Sequence, residues 1–595
     1  MSDEPQTLRS RVHAWLSDPR LLRGLPAVAV ITCLPALWIG WLADDLAHRA
    51  VLLSHPPFVD VDPIQHLYRF LDGGEVNAHL ASAGLLSWWT DMDIRVSFFR
   101  PLASFTHVVD YALWPDRAVL QHLHSLLWGG LMVWCAVRFL RAVSPNPLVV
   151  GLAALCFAVE DAHVAPIAWL CNRNAAIATT FGILAIHAYT RWRTVGGARA
   201  WWGCMGALFL GLCAGETALA ACAWMAAHAL TRESSVWRGL RSLLGPAVLV
   251  VAWRLAYNAL GHGSDGSALY IDPGATPGAW LQALVVRWPL LMGSQLTSAP
   301  IDAWVVLDGP LRAVVSGLGL LVTAMGAWVA WPTLRARASA RMAALALVGI
   351  LVPFTAGFPM ARLLIFSSLA FALLVAEVVD HHGLLRAPSA AGAGWSRTLR
   401  SGMLVGLLLW HIPVSMVQRP VGCWMLPQMG QIFELAHRTL PEDDKLNEKT
   451  LIMMNGTEFT AIYFYVNRST PDFRQSRPRG VALLSTWWTD ATVTREDAHT
   501  LVIEPHEGFL ARPIDQLFRD PARVPFSKDQ RIEHFGMDVH VREVTEDGRP
   551  AVVAFRFADP LEDQTHRRFA ILNLDGAAYW TPPEIGASVV LPGIL

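Results

Sequence analysis

Residues 24–42 read GLPAVAVITCLPALWIGWL, an uncharged run that is followed after one alanine by the acidic pair Asp44-Asp45. A transmembrane helix needs about 20 mainly apolar residues, so this stretch predicts one. Comparable apolar runs recur until about residue 419. They predict a polytopic α-helical membrane bundle of about eleven transmembrane helices over residues 25–419.

The composition supports a membrane protein and narrows its class. The 595 residues are 53% hydrophobic and 16% charged, which a large soluble α/β protein could also show. That class does not account for many uncharged runs of about 18 to 20 residues. All lysines follow residue 440, so the bundle has no P-loop lysine, which argues against an ATP-driven pump.

Arginine placement predicts the orientation of the bundle. Every second loop between the apolar runs is rich in arginine, as is the N-terminal segment of residues 1–24. Cytoplasmic loops retain basic residues, so we expect residues 1–24 in the cytoplasm. The acidic first loop, residues 43–118, and everything after residue 419 are then extracytoplasmic. Frequent arginine and alanine favour a bacterial inner membrane.

The composition changes near residue 420 to mixed charge and turn residues, which predicts a soluble extracytoplasmic α+β domain over residues 420–595. Within it, the alternating stretches 540–544 and 551–557 flank the turn sequence Glu546-Asp547-Gly548 and predict a β-hairpin. Residues 451–456 predict a strand and a turn that lead into a helix.

The acidic pair is the first candidate for catalysis. A carboxylate at the outer end of a membrane helix can lie in a partly desolvated cleft, where a raised pKa suits a general base. Asp44 or Asp45 could then accept the proton of an attacking hydroxyl. The alternative is that the two acids mark only the solvated mouth of a loop.

Several short motifs follow the acidic pair in a definite order. They are residues 98–102 (FFRPL), 109–114 (VDYALW), 121–127 (QHLHSLL), 168–173 (AWLCNR) and 215–218 (GETA). In this order and spacing they resemble the GT-C superfamily of lipid-sugar-dependent glycosyltransferases, particularly the O-mannosyltransferase-like branch found with tetratricopeptide repeats and its bacterial relatives. The resemblance covers residues 25–230, and no tetratricopeptide repeats follow.

The resemblance implies a polyprenyl-phosphate sugar donor, an extracytoplasmic active site beneath the first loop and inversion at the anomeric carbon. It also implies a lipid, glycan or protein acceptor among membrane lipids, and no nucleic acid. The family's catalytic acid follows the first helix, so the role falls to Asp44 or Asp45, which the sequence does not separate.

The chain departs from the family at one motif. Relatives tend to show His-Pro-x-His-x-Glu before the Ala-Trp motif, whereas this chain keeps His163 and has Ala165 at the glutamate position. The acids stand instead at Glu160 and Asp161. The second catalytic or metal-binding carboxylate is therefore either relocated to one of these residues or lost.

Other ionisable residues complete the predicted site. Arg100, Arg173 and Arg362 could bind the donor phosphate, because guanidinium matches phosphate oxygens in a bidentate way. The alternative for Arg362 is an anchor at the membrane interface. Glu216 could orient the acceptor or pair with an arginine.

A divalent cation, Mg or Mn, could be bound by the acids with His122, His124 and His163. The alternative for these histidines is hydrogen bonding inside the bundle. Trp88 and Trp89 could anchor the loop at the interface or stack on a sugar.

Two other functions stay open at the level of sequence. The loss of an acid at Ala165 permits a catalytically inactive membrane scaffold or assembly protein that kept the GT-C bundle. A lipid or glycan transporter ranks last, because the hydropathy shows no inverted repeat and few charges lie at the centres of the spans.

Overall fold

The computed structural model describes residues 8–54, 61–385, 395–467, 478–486 and 488–593. Part of the predicted cytoplasmic segment, residues 1–7, and parts of the first loop and C-terminal region lie outside these ranges. Helices dominate as far as Thr439. They are α1 (Leu8–Leu16), α2 (Pro19–Ile31), α3 (Asp44–Leu52), α4 (Pro63–His66), α5 (Gly74–Ser82), α6 (Pro101–Leu113), α7 (Ala118–Val143), α8 (Pro147–Val159), α9 (Val164–Ala168), α10 (Arg173–Val195), α11 (Ala198–Ala214), α12 (Ala220–Thr231), α13 (Val236–Ser242), α14 (Leu244–Ala259), α15 (Pro277–Thr297), α16 (Gly309–Ala336), α17 (Ala338–Phe354), α18 (Ser367–His382), α19 (Trp395–Leu409), α20 (Ser415–Met425), α21 (Gln428–Thr439) and, further on, α22 (Glu458–Asn467).

Short turns of tighter or wider helix link several of these elements. The 3₁₀ turns are Leu34–Trp38, Asp161–His163, Leu170–Asn172, Glu216–Leu219, Asp302–Val306, Ala361–Ile365, Leu446–Glu448 and Pro513–Gln516, and a π turn, Trp410–Val414, joins α19 to α20. The first apolar run illustrates their origin. Its α-helix ends at Ile31 and continues as 3₁₀ because Pro35, at the start of that turn, has no N–H to donate.

Long apolar helices mark the chain as an integral membrane protein. Among the described residues, the helical stretches long and apolar enough to cross a membrane are Pro19–Trp38, Ala118–Val143, Val236–Ala259, Gly309–Ala336 and Trp395–Met425. The pair Pro147–Val159 and Asp161–Ala168, bent by 48°, makes a possible sixth. The count of about eleven is therefore not confirmed. Breaks such as the one at Glu160 divide apolar runs that a sequence window reads as continuous.

Strands form three sheets in the part of the chain that the structure describes. They are β1 (Arg69–Asp72), β2 (Arg95–Ser97), β3 (Gly263–Asp265), β4 (Thr450–Met453), β5 (Gly480–Leu483), β6 (Ala491–Arg495), β7 (Thr500–Pro505), β8 (Arg531–His534), β9 (Met537–Val544), β10 (Pro550–Phe557), β11 (Arg567–Asn573), β12 (Gly576–Tyr579) and β13 (Ser588–Leu591). Their spatial orders are β1-β2-β3, β13-β6-β7-β10-β9-β8 and β12-β11-β4-β5.

The C-terminal sheets match the local sequence predictions. The predicted hairpin is the antiparallel pair β9 and β10, with Val539 opposite Phe555. The predicted strand, turn and helix are β4 and α22. Alternate residues of β9 point inward, as period-two hydrophobic patterning requires. A strand-rich region thus follows the helical bundle.

Three apolar cores organise the described residues. The first lies within the helical bundle, the second lies between the sheets of the strand-rich region, and a third packs first-loop residues such as Ile94 against Leu517 and Phe518. Trp88 and Trp89 of the first loop belong to the second core. The first loop therefore joins the bundle to the strand-rich region rather than lying free.

Candidate active site

A tight turn places the acidic pair. Ala43 adopts a φ of 50°, a left-handed conformation that is uncommon for a residue with a side chain, and α3 begins at the next residue. Strain of this kind persists only where surrounding contacts hold it, and it concentrates at functional sites. The turn directs Asp44 and Asp45 towards Cys171, in the 3₁₀ turn before α10.

Asp45 holds this turn together. Its side chain is only 2% exposed. One carboxylate oxygen accepts a 2.6 Å hydrogen bond from the Cys171 backbone N–H, and the other accepts a 3.2 Å bond from Leu42 N–H. Burial raises the pKa of Asp45 to about 8, against the effect of these two hydrogen bonds. Both oxygens are thus occupied by backbone donors.

Asp44 has a different environment. It is half-buried, and within the described ranges its carboxylate makes one weak side-chain hydrogen bond, with Cys171 Sγ at 3.9 Å. Burial raises the pKa of Asp44, and the positive charge of Arg362 opposes that rise. Asp44 therefore keeps lone pairs that can accept a proton, which distinguishes it from Asp45.

The charge of Arg362 opposes the rise in pKa that burial causes at both Asp44 and Asp302. Its guanidinium lies 5.2 Å from the ring centroid of Trp169 and 5.8 Å from that of Phe358. It is half-buried, and no carboxylate of the described residues forms an ion pair with it. Its 3₁₀ turn packs against the turn Asp161–His163. Arg362 thus combines an unpaired charge with proximity to Asp44.

Arg100 is paired. Its guanidinium forms a 2.9 Å ion pair with Glu216 and lies over the rings of Phe98 and Tyr68, at 4.4 and 5.0 Å from their centroids. One of the two predicted roles of Glu216 was to pair with an arginine, and that arginine is Arg100. Tyr257 also donates a 3.3 Å hydrogen bond to Glu216.

Arg173 is enclosed in a network that leaves it little access to a ligand. It is 0% exposed and donates to Asp110 at 2.5 Å, to Ser125 Oγ at 2.7 Å and to the Gln121 carbonyl at 2.9 Å. This geometry argues against the predicted phosphate contact, because Asp110 already neutralises the guanidinium. Asp110 belongs to a matched motif but was not itself predicted as a site residue.

The three histidines predicted as metal ligands have separate partners. His124 Nδ1 lies 2.6 Å from Asp110, His122 Nε2 lies 2.8 Å from the Gly40 carbonyl, and His163 Nε2 lies 2.9 Å from Ser368 Oγ. Among the residues described, no group of three or more His, Cys, Asp or Glu side chains could hold a metal ion. The side chains as placed do not fit the predicted divalent cation, and they match hydrogen bonding inside the bundle instead.

The relocated acids do not join the pair. Glu160 is 2% exposed and lies 3.3 Å from His411 Nδ1 and 3.4 Å from Gln295 Nε2. Asp161 accepts a 3.3 Å hydrogen bond from Ser415. Neither acid shares a partner with Asp44 or Asp45, so the geometry does not place a second acid beside the pair. Asp161 does lie on the turn that contacts the Arg362 turn.

His48 and Tyr68 contact Cys171, the residue to which the acids bind, and His107 contacts His48 and Tyr68. Sequence analysis missed all three. His48 Nε2 lies 3.5 Å from Cys171 Sγ, and Tyr68 donates a 3.0 Å hydrogen bond to the Cys171 carbonyl. Burial, with the charge of Arg100, lowers the pKa of His48 to about 3, so its ring is neutral at physiological pH. The signal available for His48 was its spacing of four residues from Asp44, one helical turn.

Trp88 and Trp89 neither anchor the loop at a membrane interface nor face a sugar. Trp88 donates a 3.1 Å hydrogen bond to the Leu484 carbonyl, and Trp89 donates a 2.7 Å bond to Glu458. Both indoles are fully buried against the strand-rich region. The interpretations based on sequence are therefore wrong, because these rings are core residues.

Comparisons with known proteins concern the fold. No family model matches the chain, and no curated protein sequence matches it. Several solved structures are similar to the chain. One is ArnT from Cupriavidus metallidurans, bound to undecaprenyl phosphate, with 15% identity, 77% of this chain and 88% of that chain covered, and a TM-score of 0.34.

A second is the archaeal oligosaccharyltransferase AglB from Archaeoglobus fulgidus, in complex with an inhibitory peptide and a dolichol-phosphate. Its identity is 11%, the match covers 80% of this chain and 65% of that chain, and the TM-score is 0.43. The tetratricopeptide-associated branch stays a resemblance of sequence motifs.

Proposed function

We propose that this chain is a GT-C-type membrane glycosyltransferase that transfers a sugar from a polyprenyl-phosphate donor to a lipid, glycan or protein acceptor. The observation that carries the proposal is the half-buried Asp44 carboxylate within electrostatic reach of Arg362, a guanidinium that forms an ion pair with no carboxylate of the described residues. A base and a free cation at one site are the two groups that displacement of a phosphate leaving group requires.

The reaction can be written with these groups. The acceptor hydroxyl oxygen attacks the anomeric carbon, and its proton passes to the Asp44 carboxylate. The bond between the anomeric carbon and the phosphate oxygen breaks, and polyprenyl phosphate leaves with both electrons. Arg362 offsets the charge that develops on this phosphate. Attack opposite the leaving group inverts the anomeric carbon.

The supporting residues have distinct roles in this proposal. Asp45 keeps the turn that presents Asp44, through its bonds to Leu42 and Cys171. Arg100, paired with Glu216, contributes to the wall of the site, and its predicted phosphate contact requires exchange of that partner. The predicted role of Glu216 in orienting the acceptor stays a proposal. No step is assigned to a metal ion, because the predicted ligands lie apart.

The proposed location follows the charge pattern. Residues 1–24 lie in the cytoplasm of a bacterial cell, and the acidic pair and the strand-rich region lie on the other side of the inner membrane. A cysteine-labelling map of whole cells and opened vesicles tests this orientation, with single cysteines placed near residues 15 and 585.

The function is tested with purified protein and a panel of radiolabelled polyprenyl-phosphate sugars. We expect transfer or hydrolysis with at least one donor by the wild type and a loss of about 10²- to 10⁴-fold in Asp44→Asn, the effect of removing a general base. Folded wild-type protein that turns over no donor would contradict the proposal and favour the membrane scaffold, and saturable transport of the intact donor would favour the transporter.

A further inference from the structure

Helix α22 links the strand-rich region to the acidic pair. Helix α22 packs against α3, the helix that begins at Asp44. Phe464 of α22 is fully buried in the core between the sheets, so the helix is fixed to the strand-rich region. The helix therefore lies between that core and the site.

The start of α22 is anchored to the first loop. Glu458 accepts the 2.7 Å hydrogen bond from the Trp89 indole, and Glu458 is only 3% exposed. Two further hydrogen bonds connect the first loop to the strand-rich region. Asp91 N–H donates to the Phe518 carbonyl at 3.0 Å, and Arg519 donates to the Trp89 carbonyl at 3.3 Å. These contacts fix the position of α22 relative to the loop that contains Asp44.

Tyr463 lies on α22, and its side chain is half-buried. It lies five residues after Glu458, about 7.5 Å along the helix axis, and its carbonyl lies 3.1 Å from His437 Nε2. Burial raises the pKa of its phenol, and the charges of Asp44, Asp45 and Cys171 raise it further. The phenol is therefore neutral, and the packing of α22 on α3 brings its helix to the acidic pair.

We propose that Tyr463 is a positioning residue of the Asp44 site and that the strand-rich region, through α22, completes the active site. The ring lies against the acidic pair, limits the access of water to the half-buried Asp44 carboxylate and keeps it a stronger base than an exposed aspartate. The region after residue 440 is then part of the catalytic unit rather than a separate binding module. This inference rests on the proposed function for its catalytic consequence, but the covering itself does not.

The covering is tested without any activity assay. Cys171 lies beneath the acids, is 6% exposed and has a pKa raised by burial and by both carboxylates, so it should react slowly with a water-soluble maleimide. In the full-length protein we expect Tyr463→Ala to speed alkylation of Cys171, followed by peptide mass spectrometry, by about tenfold or more. Tyr463→Phe retains the ring and should match the wild type.

Matched controls separate this effect from general loosening. Tyr579→Ala removes a tyrosine from β12 of the same region and should leave Cys171 as slow as in the wild type. If Tyr463→Ala fails to fold, Trp89→Phe removes the hydrogen bond to Glu458 and should also speed the labelling. Unchanged labelling in folded Tyr463→Ala would overturn the proposal.

The positioning role is tested by the pH dependence of kcat/KM, which reports ionisation of the free enzyme. Uncovering Asp44 lowers its pKa, so we expect the acidic limb to move down by about one pH unit in Tyr463→Ala and not at all in Tyr463→Phe. A limb that stays in place would reduce Tyr463 to a structural role and overturn the proposal. If Tyr463→Ala speeds the labelling but neither the wild type nor any variant turns over a donor, the proposed position of Tyr463 stands and the proposed glycosyltransferase activity is refuted.

Discussion

Substituting each member of the acidic pair by asparagine should separate catalysis from stability. Asp44 has free lone pairs and one weak hydrogen bond, whereas both oxygens of Asp45 accept backbone N–H groups. We expect Asp44→Asn to fold as well as the wild type, within about 0.5 kcal/mol, and to lose about 10²- to 10⁴-fold in kcat.

Asp45→Asn should show the opposite pattern. An asparagine offers one acceptor oxygen, so its NH₂ group must face either Leu42 N–H or Cys171 N–H, and one buried donor loses its partner. An unsatisfied buried donor costs about 1 to 3 kcal/mol. We expect a lower thermal midpoint and a smaller yield of folded protein, with turnover per folded molecule reduced less than about tenfold.

The assay measures donor turnover and thermal unfolding in the same detergent. Turnover is expressed per folded molecule, and folded protein is quantified from its monodispersity profile. An Asp44→Asn enzyme that keeps turnover within twofold of the wild type would refute the assignment of the base. So would an Asp45→Asn enzyme that is as stable as the wild type yet inactive, since the base would then be Asp45.

Three further predictions concern the phosphate contact, the strand-rich region and the metal. Arg362→Gln should lower kcat/KM for the donor by about 10- to 100-fold, because charge-assisted hydrogen bonds to the phosphate are lost. The control Arg117→Gln, at an exposed arginine of the first loop, should leave kcat/KM unchanged. Equal effects of the two substitutions in initial-rate assays would contradict the predicted phosphate contact. Burial raises the pKa of Asp515 to about 7, so the native state retains a proton that the unfolded chain loses near pH 4. The free energy of unfolding should therefore fall by up to about 4 kcal/mol as the pH rises from about 4 to 7. In Asp515→Asn the thermal midpoint should depend less on pH across this range. The asparagine amide oxygen can still accept the Trp488 indole N–H. Chelation with EDTA should leave donor turnover within twofold of the untreated enzyme. A loss of turnover that Mg or Mn restores would contradict this and support the predicted role of the histidines as metal ligands.

The sequence predicted the features that depend on local pattern. Hydropathy identified a helical membrane protein, and period-two alternation with a Gly-containing turn identified the pair β9 and β10. The position of an acidic pair behind the first span located the candidate site. Each of these signals lies within a short window of residues, where periodicity and turn chemistry act directly.

The remaining features depend on contacts between distant residues. The difference between Asp44 and Asp45 arises from the backbone N–H of Cys171, 126 residues away from Asp45 in sequence. Trp89 was misread because its partner, Glu458, is 369 residues away, and an indole at a core position has the same sequence signal as one at an interface. The helix count is not confirmed, and tight turns break some apolar runs without a change in hydropathy.

The anomeric configuration of the product tests the central claim most directly. Purified protein is supplied with a polyprenyl-phosphate sugar of known configuration, and the transferred sugar is examined by NMR before it can mutarotate. A single displacement in which Asp44 accepts the proton of the acceptor predicts an inverted product. A retained configuration would require a covalent intermediate and would contradict the mechanism.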